Sequence, residues 1–128
     1  MIEVMIVEDQ AMLRESLAQT IESQEDMHVA LCLADAADAP GRAAETDCGL
    51  VLMDVCTEHD SNGIVAARRI KEANPAVRVV IMTGMPEVTF VEQAKDAGVD
   101  SFVYKNVGIE ELLAVMRSTA VGYSTFPH

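Results

Sequence analysis

The chain has 128 residues, of which half are hydrophobic and only 4% are aromatic, and its formal net charge is −12. This length is typical of one domain with a single core. A surface so acidic repels phosphate backbones and anionic lipid, which argues against binding of nucleic acid or a membrane by this chain alone, and it suits cations such as a divalent metal instead.

Cysteine usage and the absence of targeting signals predict a compartment. Cys32, Cys48 and Cys56 lie in apolar surroundings without CxxC spacing, which predicts reduced and mostly buried thiols in a cytosolic protein. No apolar stretch reaches the length of a membrane span, and Met1–Val4 lacks the charged and apolar regions of a signal peptide. We therefore expect a cytoplasmic protein.

Five short apolar runs predict β-strands. Four apolar residues in sequence without polar alternation, as in Leu50–Met53, indicate a strand that is buried on both faces of a parallel sheet. In chain order the predicted strands are Val4–Val7, His28–Leu33, Leu50–Asp54, Val77–Met82 and Phe102–Tyr104.

The segments between and after these runs have the periodicity of amphipathic helices. Asp38 is expected to cap the second helix, with Pro40 in its first turn, and Gly98 to end the fourth. In chain order, the residues that share a helical face are Leu13, Leu17 and Ile21; residues 39–45 as a short helix; Ile64, Ala67 and Ile70; Val88, Val91 and Ala94; and Ile109, Leu112 and Met116.

Strands therefore alternate with helices five times, which predicts a parallel sheet with right-handed crossovers. The predicted fold class is α/β, with a five-stranded parallel sheet that is doubly wound by helices on both faces. No internal repeat or domain linker interrupts the pattern.

Four of the five predicted strands end in residues that can carry chemistry. Glu8–Asp9 follows the first strand, Asp54 ends the third, Thr83 ends the fourth and Lys105 follows the fifth. Because the carboxyl ends of parallel strands lie at one edge of a sheet, these side chains are expected to converge. Each alone has an ordinary explanation as a turn, capping or surface residue, but their joint occurrence favours a shared site.

The predicted site contains three carboxylates, those of Glu8, Asp9 and Asp54. Carboxylates crowded together repel one another and require a cation. Oxygen ligands that include only two or three carboxylates fit Mg²⁺, which keeps several waters and usually shares its coordination with a phosphate. The sequence therefore predicts Mg²⁺ as the cofactor.

Over essentially its whole length the chain resembles the receiver domain of two-component response regulators, which implies the flavodoxin-like receiver fold. The strings Leu52–Val55 and Phe102–Lys105 also fit this family. The residues that match the receiver pattern are Glu8, Asp9, Asp54, Gly63, Thr83, Phe102 and Lys105.

The resemblance implies a phosphorylation switch with Asp54 as the phosphoacceptor. Asp9 and Asp54, with Glu8 and the backbone carbonyl of Cys56, would hold Mg²⁺. Transfer of a phosphoryl group depends on alignment and neutralisation of charge more than on covalent assistance. The domain would catalyse only its own phosphorylation and dephosphorylation, so it is not expected to be an enzyme with a separate substrate.

The resemblance also assigns roles to the remaining site residues. Lys105 would pair with Asp54 and then with a phosphoryl oxygen. Thr83 would donate its hydroxyl to another phosphoryl oxygen, and Phe102 would turn into the space that Thr83 vacates. A new phosphate can act as a switch because it contacts one of two loop arrangements better than the other.

The loop of residues 55–63 departs from the usual receiver pattern, because it lacks a Met-Pro pair and is about one residue longer. His59 within it is expected to be a solvated residue. Lys105 is followed by Asn106 where receivers usually have proline, which leaves the isomer of that peptide bond open. The Glu8–Asp9–Gln10 opening and the lysine without proline are more typical of the NarL/FixJ-like (LuxR-type) branch.

That branch usually joins the receiver to a C-terminal helix-turn-helix domain, which would provide DNA binding and transcriptional control. We expect residues 1–122 to form the receiver and 123–128 to begin a linker or a terminal tail, as in a receiver taken from a longer regulator; a single-domain regulator is the alternative. The expected partners are a sensor histidine kinase and, after phosphorylation, a second copy of the chain.

Three other functions fit the sequence less well than the receiver does. A phosphohydrolase of the haloacid-dehalogenase type requires a second Asp two residues after the nucleophile, where this chain has Cys56. Nucleotide-binding domains are disfavoured because neither GxGxxG nor GxxxxGK[ST] occurs. A phosphorylation-independent interaction module with a receiver fold remains the alternative, and only the altered loop after Asp54 favours it.

Overall fold

A computed structural model describes residues 1–57, 61–84 and 87–127, so His59 and the middle of the predicted polar loop lie outside the described residues. Within these ranges five strands alternate with five α-helices. The strands are β1 (Ile2–Val7), β2 (Met27–Leu33), β3 (Leu50–Asp54), β4 (Arg78–Thr83) and β5 (Ser101–Tyr104). The helices are α1 (Ala11–Glu22), α2 (Ala39–Glu45), α3 (Gly63–Ala73), α4 (Val88–Asp96) and α5 (Ile109–Ala120).

The strands form one parallel sheet in the order β2-β1-β3-β4-β5. Every residue of the central strand β3 is buried, as its unbroken apolar sequence predicts. The predicted five-stranded doubly wound α/β fold is confirmed. Among the described residues, no helix is long and apolar enough to span a lipid bilayer.

The sheet separates two hydrophobic clusters, because alternate residues of each strand point to opposite faces. The first cluster joins one face of the sheet to α2, α3 and α4 and includes Met53, Ile81 and Phe102. The second joins the other face to α1 and α5 and includes Leu52 and Met116. Helices on both faces hold the strand ends in place at the edge where the predicted site lies.

Lys71 and Asp100 fix the amino ends of β4 and β5, at the end of the sheet opposite the predicted site. The Lys71 Nζ donates to the carbonyls of Pro75 and Val77 at 2.9 and 2.8 Å and to Asp100 Oδ2 at 2.9 Å. Asp100 Oδ2 also accepts from the N–H of Val79 at 2.8 Å. These bonds tie the end of α3 to the beginnings of β4 and β5, and so set where the carboxyl ends of both strands lie.

The start of α2 differs from the prediction. A 3₁₀ turn over Ala36–Asp38 leads directly into α2, so Asp38 already has helical backbone angles and its side chain makes no capping bond. Asp35 caps instead, since its extended backbone lets Oδ1 accept from the N–H of Ala37 at 2.9 Å.

The prediction of mostly buried cysteines is wrong, because only Cys48 is buried, whereas Cys32 and Cys56 are exposed. Cys32 lies on β2, which is one of the two edge strands of the sheet, and Cys56 lies in the loop after β3. All three thiols are free, as predicted.

Gly63 begins α3 where the helix passes against the end of β3. A Cβ at this position would overlap the carbonyl oxygen of Asp54 and would lie 2.9 Å from Met53 Cγ. The Gly63 N–H also donates to the carbonyl of Val55 at 2.6 Å. The missing side chain therefore lets the loop after Asp54 close tightly onto the strand that carries it.

Replacing Gly63 by alanine should therefore destabilise the fold. We expect Gly63→Ala to lower the free energy of unfolding by about 1–3 kcal/mol, since backbone atoms of a central strand must move to admit the methyl group. Gly41→Ala is the matched control, because Gly41 lies within α2 and its Cβ would meet no atom within 4 Å. The control should raise that free energy by about 0.5–1 kcal/mol. Equal effects of the two substitutions in urea denaturation would contradict this account.

Candidate functional site

The register of the sheet brings the predicted site residues together at its carboxyl edge. Glu8 and Asp54 are the residues that follow the last pair between β1 and β3. Thr83 follows the residue of β4 that lies opposite Asp54, and Lys105 follows the residue of β5 that lies opposite Thr83. Side chains that are far apart in sequence therefore share one edge, as expected for a parallel sheet.

The Lys105 ammonium bridges two buried carboxylates. Its Nζ lies 3.0 Å from Asp54 Oδ2 and 2.7 Å from Glu8 Oε1. Glu8 is 0% exposed and Asp54 is 5% exposed, and a buried carboxylate is unfavourable unless it is paired. Asp54 is not the capping residue of α3, because Asn62 Oδ1 accepts the N–H of Ile64 there. The arrangement is that of a charged site rather than of a turn.

The charges of this group perturb one another. Burial raises the pKa of Glu8 above its ordinary value, although the Lys105 ammonium and the N–H of Gln10 act in the opposite direction. For Lys105, burial alone would lower the pKa, but its contacts with Glu8 and Asp54 outweigh burial and raise the pKa above its ordinary value. Lys105 is therefore a permanent cation at neutral pH.

The carboxylates of Glu8, Asp9 and Asp54 form the acidic group. Each offers one oxygen that lies within 4.8 Å of the oxygens of the other two. Within the described residues Glu8 Oε1 is buried and has no aligned hydrogen-bond donor, since Lys105 approaches it as an ion-pair partner. Closely spaced carboxylate oxygens, one of them without an aligned donor, are a donor set for a hard divalent cation. The acidic group can therefore hold a metal ion.

Three hydrogen bonds hold Glu8 in position, and local sequence patterns do not reveal them. The Arg14 Nη1 donates to the carbonyl of Glu8 at 2.8 Å, and the N–H of Gln10 donates to Glu8 Oε2 at 3.1 Å. The N–H of Glu8 donates to the carbonyl of Leu33 at 3.0 Å. The turn that presents Asp9 is thereby tied to both α1 and β2.

Thr57 holds the loop after β3, and sequence reasoning missed it. Its buried Oγ1 accepts from the N–H of Ala36 at 2.8 Å, and its own N–H donates to the carbonyl of Ser61 at 3.1 Å. Cys56 next to it forms an isolated antiparallel bridge with Asn62. The partner Ala36 is 21 positions away, so no local pattern could have indicated this contact. That the Cys56 carbonyl binds metal stays a prediction.

The two residues predicted to act in a switch, Thr83 and Phe102, are both buried. The carbonyl of Thr83 accepts from the N–H of Lys105 at 2.8 Å. Phe102 lies in the cluster that α4 covers, outside the acidic group, and packs edge to face on Tyr104 with ring centroids 5.7 Å apart. The described residues contain no cis peptide bond, so the bond between Lys105 and Asn106 is trans.

Comparison with known proteins identifies similar sequences and structures. The family model described as response regulator receiver domain matches residues 4–117. The response regulator protein VraR of Staphylococcus aureus strain Mu3 is 33% identical over 125 residues, which cover 98% of this chain and 59% of that protein. The chain thus spans 59% of the length of this curated relative.

Solved structures show the same similarity. A two-component response regulator of the LuxR family from Aurantimonas sp. SI85-9A1 has a TM-score of 0.90 and 28% identity, over 96% of this chain and 87% of that one. A DNA-binding response regulator of the LuxR family from Staphylococcus aureus has a TM-score of 0.87 and 25% identity, over 94% of this chain and 99% of that one. The predicted resemblance and its LuxR-type branch are confirmed.

The pKa of Glu8 should report on the charge balance of the site. Because its raised pKa means that the folded state holds this proton more tightly than the unfolded state, its contribution to stability falls as pH rises above the ordinary carboxyl value of 4.5. In Lys105→Met the pKa of Glu8 should rise further, since the ammonium that lowers it is gone. The measurement is a ¹³C NMR titration without divalent cations, with the signal assigned through Glu8→Gln.

Lys95→Met is the control for this titration, because Lys95 lies near Phe126 and not near the acidic group. It should leave the Glu8 titration as in the wild type. An unchanged or lowered pKa of Glu8 in Lys105→Met would show that the ammonium does not stabilise this carboxylate.

Proposed function

Because the chain belongs to the family of response regulator receiver domains and is the receiver of a two-component regulator, we propose that Asp54 accepts a phosphoryl group from a phosphohistidine of a sensor histidine kinase. The observation that carries this proposal is the Lys105 ammonium, which lies 3.0 Å from Asp54 and 2.7 Å from Glu8. It places a fixed positive charge where phosphoryl oxygens would lie after transfer to Asp54.

In the transfer, an oxygen of Asp54 forms a bond to phosphorus while the bond from phosphorus to the imidazole nitrogen of the donor breaks. The electron pair of the broken bond stays on the imidazole. Lys105 exchanges part of its contact with the carboxylates for contact with a phosphoryl oxygen, which neutralises charge in the transition state. The domain catalyses only its own phosphorylation and the later hydrolysis, and its role is signalling.

We propose that the acidic group holds Mg²⁺ through Glu8, Asp9, Asp54 and the backbone carbonyl of Cys56. When bound, the ion supplies positive charge that neutralises the phosphoryl oxygens. The close spacing of the three carboxylates supports this assignment. Thr57 supports the carbonyl ligand, since its hydrogen bonds fix the residue that follows Cys56.

Thr83 and Phe102 would convert phosphorylation into a change of shape. The Thr83 hydroxyl would donate to a phosphoryl oxygen and draw the end of β4 inward, and the Phe102 ring would follow into the vacated space. The hydrogen bond between the Thr83 carbonyl and the Lys105 N–H supports coupled movement, because it joins the ends of β4 and β5. The phosphate favours one of two arrangements by making contacts that only this arrangement offers.

Exposed apolar residues around the site suit docking of the kinase. Met12 is 86% exposed and Val88 75% exposed, and Val65 and Ile109 are also exposed. All four lie in the first turn of a helix, at the edge of the sheet that carries Asp54. Val91 and Val115, which lie further along α4 and α5, are buried and take no part in this surface.

The output of the domain is proposed from the relatives, which are longer than this chain. We propose that residues 1–122 form the receiver, that 123–128 begin a linker, and that a C-terminal helix-turn-helix domain provides DNA binding and transcriptional control in the cytoplasm. Phosphorylation would favour a homodimer. The similarity to a DNA-binding response regulator of Staphylococcus aureus supports this output.

A phosphorylation-independent interaction module is the alternative function. Its basis is the loop after Asp54, which lacks the usual Met-Pro pair. The hydrogen bonds of Thr57 to Ala36 and Ser61 weaken that argument, because they anchor the loop by other means. All side chains with proposed roles in phosphorylation are also present.

Phosphorylation of Asp54 can be tested with a small-molecule donor. Incubation with acetyl phosphate and Mg²⁺ should add about 80 Da to the intact mass of the wild type, the mass of one phosphoryl group. Asp54→Ala should gain nothing, whereas Asp47→Asn, which changes an exposed carboxylate between α2 and β3, should behave as the wild type. An equal adduct on Asp54→Ala, or none on the wild type, would refute the proposal.

The role of Thr57 in the proposed metal site can be tested separately. Thr57→Val removes the oxygen that bonds Ala36 and should weaken Mg²⁺ binding on the order of tenfold, as is typical of residues that orient ligands. Thr57→Ser should restore the affinity measured by titration calorimetry.

Thr119→Val is the matched control, because it removes another buried hydroxyl, 2.7 Å from Ser101 Oγ on the far part of β5. It should lower stability without a change in Mg²⁺ affinity. If Thr57→Val and Thr119→Val bind Mg²⁺ as tightly as the wild type, Thr57 serves stability alone.

A further inference from the structure

Residues Tyr123–Pro127, which we call the C-terminal strap, fold back along the edge strand β5. Gly122 has a φ of +105°, a conformation that favours glycine, and it reverses the chain after α5. The N–H of Tyr123 donates to the carbonyl of Ser118 at 3.0 Å. The strap thus begins against α5 and runs towards β5, the edge strand of the sheet.

The strap then forms two hydrogen bonds with β5, one through the N–H of Thr125 and one through its carbonyl. The N–H of Thr125 donates to Ser101 Oγ at 3.0 Å, and the carbonyl of Thr125 accepts from the N–H of Phe102 at 2.8 Å. Ser101 Oγ also lies 2.7 Å from Thr119 Oγ1 of α5. The bond from the Phe102 N–H to the Thr125 carbonyl is of the main-chain type through which an exposed strand edge binds extended peptide segments.

Beyond β5 the strap reaches the side of α4. Phe126 is half-buried and, like Tyr104, packs against the hydrophobic cluster that contains Phe102. The Lys95 Nζ of α4 lies 5.3 Å from the centroid of the Phe126 ring, within the range of a cation–π contact. One short segment therefore contacts α5, β5 and α4 together, and it holds the backbone of Phe102 directly.

We propose that the edge of β5 and the adjoining side of α4 form a docking surface for the C-terminal strap, and that phosphorylation of Asp54 releases the strap from it. This inference rests on the proposed function, in which Phe102 moves after phosphorylation. The strap binds the present arrangement through the Phe102 N–H and through the packing of Phe126 against the cluster that contains the Phe102 ring, and both contacts change when Phe102 moves. By linkage, a docked strap also disfavours the phosphorylated arrangement.

Amide hydrogen exchange on the intact chain tests the release. After acetyl phosphate and Mg²⁺, the amides of Phe102 and Thr125 should exchange at least about fivefold faster, whereas that of Val29 on the far edge strand should not change. Intact mass on the same sample reports the phosphoryl adduct. No adduct would defeat the proposed function, whereas an adduct with unchanged exchange at both amides would overturn the release of the strap alone.

The reciprocal effect supplies an equilibrium test with beryllium fluoride, which mimics a phosphoryl group on a carboxylate. Phe126→Ala should bind it with Mg²⁺ at least about fivefold more tightly than the wild type, since the strap no longer opposes the change. Tyr123→Ala is the matched control, because Tyr123 is an exposed aromatic residue of the same strap, and it should bind as the wild type does. Equal affinities of wild type and Phe126→Ala would overturn the proposal.

Discussion

The pairing of one ammonium with two buried carboxylates constrains the rest of the site. Glu8 and Asp54 follow or end different strands, and Lys105 follows a third, so the ammonium reaches both carboxylates only if the sheet holds all three strands in register. Removing one partner of a buried ion pair costs about 3–5 kcal/mol; the figure is an upper bound here because Lys105 keeps some contact with water. That is still a large part of the about 5–15 kcal/mol by which domains are stable.

The same pairing explains how a buried carboxylate can be both stable and reactive. A carboxylate that is satisfied by several rigid hydrogen bonds is a poor acceptor, because each bond must break when a new group arrives. Asp54 is held by a long and partly exposed lysine side chain, which can follow a phosphoryl oxygen outward. Glu8 meanwhile stays fixed through the N–H of Gln10 and the Arg14 guanidinium, so the charge of the site changes while its frame does not.

Much of this arrangement could be predicted from sequence, for physical reasons that also explain the errors. The unbroken apolar run before Asp54 has the length of a buried strand rather than of a helix, and parallel topology then brings Glu8, Asp54, Thr83 and Lys105 to one edge without knowledge of any contact. Side-chain to backbone bonds across 21 or 24 residues, such as those of Thr57 and Thr125, leave no periodic signal. The cap at Asp35 was missed because a 3₁₀ turn displaces the start of α2.

The separation of the core into two clusters has an evolutionary consequence. Of the four residues at the proposed kinase surface, Met12 and Ile109 belong to α1 and α5, which pack on one face of the sheet, whereas Phe102 and Phe126 pack with α4 on the other. Substitutions of Met12 or Ile109 that alter the choice of donor therefore need no compensating change beneath α4, unlike substitutions of Val88, which α4 itself carries. After duplication of such a domain, its input and its output can diverge at different rates, with the sheet as the part that both must preserve.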